Sequence, residues 1–246
     1  MNRVIDEKPT VLMVENVSKN YGKVTAVKDL SFTVRQGEIF GILGPNGSGK
    51  TSTIESILGT RTLSSGKVRI LGMDPLKDRR KVFRSVGVQF QDSAWQTGIR
   101  VGELCESTAC LYEPVPEWRE LLDRFDLSKR IKAPVESLSG GERQKLAILL
   151  ACIHNPQVIF LDELTTGLDP LARRETWRFI KQLQDLGSTV ILTSHFMDEV
   201  EELCGRGIIL HNGSAVAVGT IPEIVNLGRA SRLEEAYINI IEGVSA

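Results

Sequence analysis

The glycine-rich segment at residues 44–51 constrains the fold of this chain more than any other feature. It reads Gly-Pro-Asn-Gly-Ser-Gly-Lys-Thr, with an apolar run before it at 39–43 and a helical pattern after it at 50–58. Glycines let the backbone curl so that successive N–H groups point inward, and the following helix adds partial positive charge at its N-terminus. The segment therefore predicts a phosphate-binding loop between a strand and a helix.

The side chains of this loop predict a site for Mg·ATP. Lys50 brings a full positive charge toward the β- and γ-phosphates, and the hydroxyl of Thr51 is placed to ligate Mg²⁺. The residues expected to hold the nucleotide are Gly44, Pro45, Asn46, Gly47, Ser48, Gly49, Lys50, Thr51 and Ser52. The loop alone does not strongly exclude GTP.

A second candidate site follows the apolar run at residues 158–161. An uninterrupted apolar run is typical of a strand buried on both faces, and such a strand delivers Asp162 and Glu163 to the carboxyl edge of the sheet. We expect Asp162 to help hold Mg²⁺ and Glu163 to polarise an attacking water. An ordinary strand end with solvated acids is the alternative, and the glycine-rich loop favours the site.

The alternation of apolar runs and helical patterns indicates the α/β class with a mostly parallel sheet. Apolar runs at 86–90 and 189–193 add two strands, and residues 171–186 form a helical pattern. Residues 11–37 instead indicate β-strands joined by turns. Residues 99–137 indicate helices without strands, broken by prolines.

Charge and hydropathy exclude some classes of function. The formal net charge is -1, from 30 basic and 31 acidic residues, so a nucleic-acid partner is not expected. The first ten residues hold no apolar stretch, and we expect no signal peptide. The longest apolar run, residues 146–153, is shorter than the roughly 20 residues that span a bilayer. If the protein works at a membrane, another chain must supply the spanning helices.

The segment Leu-Ser-Gly-Gly-Glu at residues 138–142 resembles the signature of the ABC ATPases, the nucleotide-binding subunits of ATP-binding-cassette transporters. The resemblance implies a P-loop NTPase (RecA-like) parallel-sheet core with an N-terminal antiparallel β subdomain and a helical subdomain. It implies one domain at 1–230, with its core at 1–91 and 138–230 and its helical subdomain at 92–137, and a short C-terminal helix at 231–246. It also implies that the signature binds the γ-phosphate held by a second subunit, through Ser139, Gly140 and Gly141.

Further positions match the same family. Tyr21 is similar to the aromatic that stacks on adenine, and His195 to the histidine that contacts the γ-phosphate. Gln91 is similar to the glutamine that reaches Mg²⁺ and the water, although Gln89 is a chemical rival. Asp169 ends the segment Thr-Gly-Leu-Asp that links the two active sites. The implied catalytic residues are Lys50, Gln91, Glu163 and His195, and the implied metal ligands are Thr51, Gln91 and Asp162.

One position departs from the family pattern. Leu164 follows the acidic pair, where the family usually has proline. Proline would fix the backbone there, so leucine puts the rigidity of this turn in question. Because both acids are retained, we do not interpret the change as a loss of activity.

The resemblance also implies partners. Two ATPase subunits, identical or paralogous, should pair head to tail around two ATP molecules. A separately encoded integral-membrane subunit should dock at residues 92–137, which places the chain on the cytoplasmic face of the membrane. Trp95 and Ile99 are candidates for that groove, with core packing an equal alternative.

The particular kind of transporter is indicated by three shorter segments. Residues 65–72, 194–204 and 233–237 resemble the ATPases of ABC-2-type exporters of drugs, antibiotics, polysaccharides or lipids. Because 51 residues follow His195, we do not expect the larger regulatory domain found on many sugar-importer ATPases. The alternative is a soluble ABC ATPase that serves, for example, cofactor assembly. A kinase or GTPase would require the signature to be accidental.

Overall fold

The computed structural model describes residues 8–91 and 95–245. The predicted domain limits at residues 1, 92 and 246 lie outside the described residues. The described part begins with a three-stranded antiparallel sheet in the order β2-β1-β4. Its strands are β1 (Thr10–Tyr21), β2 (Val24–Arg35) and β4 (Ser65–Ile70). The predicted N-terminal antiparallel subdomain is thus confirmed.

The second sheet has six strands in the order β5-β6-β7-β3-β8-β9. Its strands are β3 (Ile39–Leu43), β5 (Val86–Gln89), β6 (Val158–Asp162), β7 (Thr189–Ser194), β8 (Arg206–His211) and β9 (Ser214–Thr220). The first five in spatial order run parallel, and β9 pairs antiparallel with β8. This arrangement confirms the mostly parallel sheet of an α/β fold.

Helices connect the strands and cover the sheet. In the described residues they are α1 (Lys50–Ile57), α2 (Arg79–Val82), α3 (Val101–Ala109), α4 (Arg119–Arg124), α5 (Gly140–Cys152), α6 (Pro170–Asp185), α7 (Met197–Leu203), α8 (Ile221–Leu227) and α9 (Leu233–Ser245). Between β5 and α5 the described chain contains α3, α4 and two 3₁₀ turns, and no strand. None of the helices in the described residues is long and apolar enough to cross a membrane.

Two hydrophobic cores lie on the two faces of the large sheet. Along β3, Phe40 and Ile42 face one core, together with α1 and the three-stranded sheet, where Phe32 stacks on Phe40 at 5.2 Å between ring centroids. Ile39 and Leu43 face the other core, with residues of α3 to α9. Each large apolar side chain buried in this way contributes about 1.5–3 kcal/mol. The two cores fix the sheet, and with it the edge from which the functional loops emerge.

The packing of α5 on the sheet depends on a close approach at Gly87 in β5. A Cβ atom at Gly87 would lie 2.0 Å from the carbonyl oxygen of Ala151 in α5. Strand and helix therefore touch through backbone atoms, which only glycine permits.

We expect Gly87→Ala to lower the free energy of unfolding by about 1–3 kcal/mol, because strand and helix must move apart. Gly205→Ala is the control, since nothing lies within 4 Å of its added Cβ, and it should change stability by less than about 0.5 kcal/mol. Urea unfolding of both variants checks the prediction. Equal stability of the two variants would contradict it.

Candidate nucleotide site

The site is assembled where three neighbouring parallel strands end. β7 lies between β3 and β6, with Leu43 opposite Ser194 and Asp162 opposite Thr193. The segments that follow these strands therefore emerge at one edge of the sheet, which is where ligands of open α/β sheets bind. They carry the glycine-rich loop, the acidic pair and His195.

The glycine-rich loop is braced by segments distant in sequence. Gly47 and Gly49 have φ angles of 81° and 102°, which favour glycine. A Cβ at Gly49 would lie 2.4 Å from the carbonyl oxygen of Ala26, at the start of β2. On another side, the N–H of Gly213 donates to the carbonyl oxygen of Ser48 at 3.1 Å. The loop shape is thus fixed by β2 and by the β8–β9 turn.

Lys50 is the central cation of the site, and it is buried. Its Nζ donates to the carbonyl oxygens of Gly44 at 2.9 Å and Pro45 at 3.1 Å. It also forms an ion pair with Oε1 of Glu163 at 3.0 Å, with only 3% and 7% of the two side chains exposed. The loop and the acidic pair are therefore joined directly through one ammonium group.

Asp162 is almost completely buried, and Thr193 connects it to Glu163. The hydroxyl of Thr193 donates to Oδ1 of Asp162 at 2.5 Å and accepts from the backbone N–H of Glu163 at 2.9 Å. Burial raises the pKa of Asp162, and hydrogen bonds from Thr193 and Thr51 oppose that rise. Oδ2 of Asp162 is buried without a hydrogen-bond partner among the described residues. This orphaned oxygen beside the Thr51 hydroxyl is the kind of oxygen donor that Mg²⁺ prefers.

Glu163 and His195 stand close together without a direct hydrogen bond. Nδ1 of His195 lies 3.7 Å from Oε2 of Glu163, and it has no hydrogen-bond partner in the described part of the chain. The imidazole packs on the ring of Phe196 at 4.1 Å between centroids. Glu163 has a φ of 47°, a left-handed conformation that is unusual for a residue with a side chain.

Lys50, Thr51 and Glu163 border a cavity of about 570 Å³. Its lining residues are Val24, Thr25, Ala26, Asn46, Gly47, Gly49, Lys50, Thr51, Ser52, Gln91, Glu163, Asn212 and Gly213. Gln91 is exposed at this cavity, whereas Gln89 is buried and lines a different one. The geometry therefore favours Gln91 over Gln89, in agreement with the family spacing.

The signature segment lies elsewhere on the molecule. Ser139 caps α5: its hydroxyl accepts from the N–H of Glu142 at 3.2 Å, and the Glu142 carboxylate accepts from the N–H of Ser139 at 2.9 Å. Ser139 and Gly140 are exposed, and none of Ser139, Gly140 and Gly141 is among the described residues that line the nucleotide cavity. One chain thus presents two separate surfaces suited to phosphate.

Other predicted residues outside the lining of this cavity are Gly44, Pro45, Ser48, Asp162, His195, Tyr21 and Asp169. Tyr21 is 41% exposed, its hydroxyl donates to Glu55 at 3.3 Å, and the Lys19 ammonium lies 4.8 Å from its ring centroid. Asp169 caps α6, because its carboxylate accepts from the N–H groups of Leu171 at 2.9 Å and Ala172 at 3.1 Å. The structure therefore gives Asp169 a local role that the sequence analysis did not assign to it.

Sequence reasoning missed several residues of the site. Thr193 bridges the acidic pair, and its only signal was a hydroxyl at the end of an apolar strand. Asn212 and Gly213 form the turn of the β8–β9 hairpin, and an Asn-Gly pair between two apolar runs could have predicted that turn. Its position beside the glycine-rich loop is a long-range contact that no local pattern encodes.

The fold and the site together define a P-loop nucleotide-binding protein with a second, separate phosphate-type surface. Comparison with known proteins supports the assignment as a nucleotide-binding protein. The family model described as ABC transporter matches residues 27–166. A solved structure of an ATP-binding subunit of an ABC transporter is 27% identical, with a TM-score of 0.85 over 94% of this chain and 100% of that chain.

Curated relatives extend the similarity over most of the sequence. The linearmycin resistance ATP-binding protein LnrL of Bacillus subtilis is 37% identical over 215 residues, which cover 85% of this chain and 69% of that protein. Nod factor export ATP-binding protein I of Cupriavidus metallidurans is 36% identical over 241 residues, which cover 94% of this chain and 78% of that protein. The chain therefore belongs to the ABC transporter family, as an ATP-binding subunit with ATPase activity.

The buried ion pair between Lys50 and Glu163 should stabilise the folded chain. We expect Lys50→Ala to lower the free energy of unfolding by about 3–5 kcal/mol, because it leaves a buried carboxylate unpaired. Adding Glu163→Gln should recover part of that loss. Chemical denaturation of both single variants and the double variant, without nucleotide, checks the coupling.

Lys181→Ala is the control for this measurement. Lys181 pairs with Glu202 at 2.5 Å, but about half of each side chain is exposed. Loss of an exposed pair should cost no more than about 1 kcal/mol. If Lys50→Ala costs no more than Lys181→Ala, the ion pair with Glu163 does not stabilise the site.

Proposed function

We propose that this chain powers an ABC exporter by binding ATP between two copies of the subunit. The observation that carries the proposal is the separation of the two phosphate-type surfaces. The cavity beside Lys50 holds the residues for one side of a nucleotide, and the exposed N-terminus of α5 at Ser139 suits the other side. A head-to-tail pair of chains would bring each cavity against the α5 N-terminus of its partner.

In this proposal the glycine-rich loop binds the phosphates of ATP. Its backbone N–H groups and the Lys50 ammonium meet the β- and γ-phosphates, while Tyr21 stacks on adenine. Thr51, Gln91 and Asp162 would hold Mg²⁺, which neutralises negative charge on the phosphate oxygens when it is bound. The orphaned oxygen of Asp162 beside the Thr51 hydroxyl supports this assignment.

Glu163 polarises the attacking water, and His195 contacts the γ-phosphate. A γ-phosphate near Lys50 competes with Glu163 for the ammonium, because both are anions. Binding of ATP would thus release the carboxylate from its 3.0 Å pair and let it accept a hydrogen bond from water. The 3.7 Å separation of Glu163 and His195 supports their action on the same phosphate.

The dimer couples binding to movement. ATP supplies part of the interface between the two copies, and its hydrolysis removes that part. The nucleotide therefore shifts the population between closed and open dimers, because it binds the closed form more tightly. Whether the second copy is identical or a paralogue does not alter this argument.

The partner that uses this movement is an integral-membrane subunit encoded separately. The helical segment 92–137, inserted between core segments 1–91 and 138–230 of one ABC ATPase domain, is its docking region. The C-terminal segment 231–246 contains α9 (Leu233–Ser245). The names of the relatives, one a resistance protein and one an export protein, support export as the direction. The chain would then lie peripherally on the cytoplasmic face of the membrane.

The central test of the catalytic assignment is Glu163→Gln. The amide keeps the shape of the side chain but cannot accept a proton, so hydrolysis should fall by about a hundredfold or more. Because bound ATP then persists, we expect a stable dimer in the presence of Mg·ATP. Light scattering after size-exclusion chromatography measures the mass, and phosphate release measures turnover.

Glu175→Gln is the matched control, since Glu175 lies on α6 with 38% of its side chain exposed and pairs with Lys145 at 3.0 Å. It should hydrolyse ATP at the wild-type rate and form no lasting dimer. A Glu163→Gln protein that stays monomeric with ATP would contradict the proposed dimer.

A membrane pull-down with the tagged full chain tests the partner. We expect an integral-membrane protein to co-purify from detergent-solubilised membranes, and its release from the chain when residues of the docking segment are substituted. Trp95→Ala and Ile99→Ala are the variants of choice. Recovery of a soluble assembly complex instead, with no membrane protein, would favour a non-transport ABC ATPase.

A further inference from the structure

A buried carboxylate behind the nucleotide site has no role in the proposal above. Glu199 lies on α7 and is only 2% exposed. Its Oε1 accepts hydrogen bonds from the hydroxyl of Thr165 at 2.8 Å and from Nε1 of Trp177 at 2.9 Å. Burial raises the pKa of Glu199, and hydrogen bonds with Ser194, Thr165 and Trp177 oppose that rise. Burial of a carboxyl group costs free energy, so we asked which segments the hydrogen bonds of Glu199 hold together.

Thr165, Trp177 and the helix of Glu199 belong to three different segments of the site. Thr165 lies two residues after Glu163. Trp177 is on α6, the helix that Asp169 caps, and α7 begins two residues after His195. One carboxyl group therefore ties together the segments that carry three predicted functional side chains.

The turn that contains Glu163 needs such support. Its φ of 47° costs about 1–3 kcal/mol for a residue with a side chain, and it persists only if the surroundings impose it. Leu164 follows, so no proline ring fixes the backbone after it. On one side of Glu163 the Thr193 hydroxyl holds the backbone N–H, and on the other side Thr165 is tied to Glu199.

A second contact fixes α7 against α6 at the same place. The guanidinium of Arg173 on α6 lies 4.2 Å from the ring centroid of Phe196, and it pairs with Asp198 at 3.1 Å. Phe196 in turn packs on His195. The helix that carries Glu199 is thus held against α6 from the side of His195 as well.

We propose that Glu199 is a positioning residue for ATP hydrolysis, which holds Glu163 and His195 in a fixed relation through its hydrogen bonds to Thr165 and Trp177. It does not touch the nucleotide. The inference rests on the roles proposed for Glu163 and His195. If it is correct, loosening the turn should slow the chemical step and leave ATP binding intact.

The test uses the purified full chain and substitutions at Thr165. Thr165→Val removes only the hydroxyl, and we expect kcat to fall about tenfold to a hundredfold, as for a catalytic group displaced by a fraction of an ångström to an ångström. KM and the affinity for a non-hydrolysable ATP analogue should stay at wild-type values. Thr165→Ser restores the hydroxyl and should recover kcat.

Thr176→Val is the matched control. Thr176 is also a buried threonine, but its hydroxyl donates at 2.9 Å to the carbonyl oxygen of Ala172 within α6. The same change there should leave kcat unaltered. If Thr165→Val keeps the wild-type kcat, or if Thr176→Val lowers kcat equally, the inference is overturned.

Glu199→Gln provides a second measurement that does not depend on the valine variant. If the two residues act through their shared hydrogen bond, the effects of Thr165→Val and Glu199→Gln on kcat should not add in the double variant. Strict additivity would overturn the inference.

Glu163→Gln is assayed in parallel: if it turns over ATP at the wild-type rate, the proposed role of Glu163 fails. If only Thr165→Val is unaffected, Glu199 alone loses its proposed role.

Discussion

The parallel pairing of β3, β7 and β6 is the constraint on which the rest of the structure depends. It places the glycine-rich loop, the acidic pair and His195 at one sheet edge, although these residues are spread over more than half of the chain. The ion pair between Lys50 and Glu163 and the Thr193 bridge can form only because these strands are neighbours. Both faces of the strands are buried, so the edge is held by two hydrophobic cores.

The same edge underlies the proposal that one chain is half of a functional unit. The α5 N-terminus begins at Ser139, is capped within the chain, and is exposed away from the nucleotide cavity. In the proposed dimer, a phosphate held by Lys50 and the N-terminus of α1 would also meet the α5 N-terminus of the second chain. In the proposed arrangement the nucleotide would form part of the contact between copies, and its hydrolysis would weaken that contact.

Local patterns predicted much of the fold, because the burial of a strand or helix determines the spacing of apolar residues along it. The apolar run at 39–43 and the one ending at Asp162 became β3 and β6 with nearly the expected bounds. Contacts between distant segments were not predictable in this way. The hydroxyl of Thr193, the brace by Gly213 and the anchor at Glu199 each depend on which elements become neighbours. The separation of Ser139 from the nucleotide cavity likewise depends on the three-dimensional fold.

ATP-dependent cross-linking between two differently substituted chains tests the shared site most directly. One population carries Asn46→Cys and the other Ser139→Cys, both with Cys110→Ser. Burial raises the pKa of Cys105 and Cys152 to about 12 and also raises the pKa of Cys204, so these native thiols should not react. With ATP, Glu163→Gln in both populations and a short bifunctional thiol reagent, a covalent dimer should form only in the mixture. Cross-linking within either population alone, or equal yield without ATP, would contradict a head-to-tail dimer closed by the nucleotide.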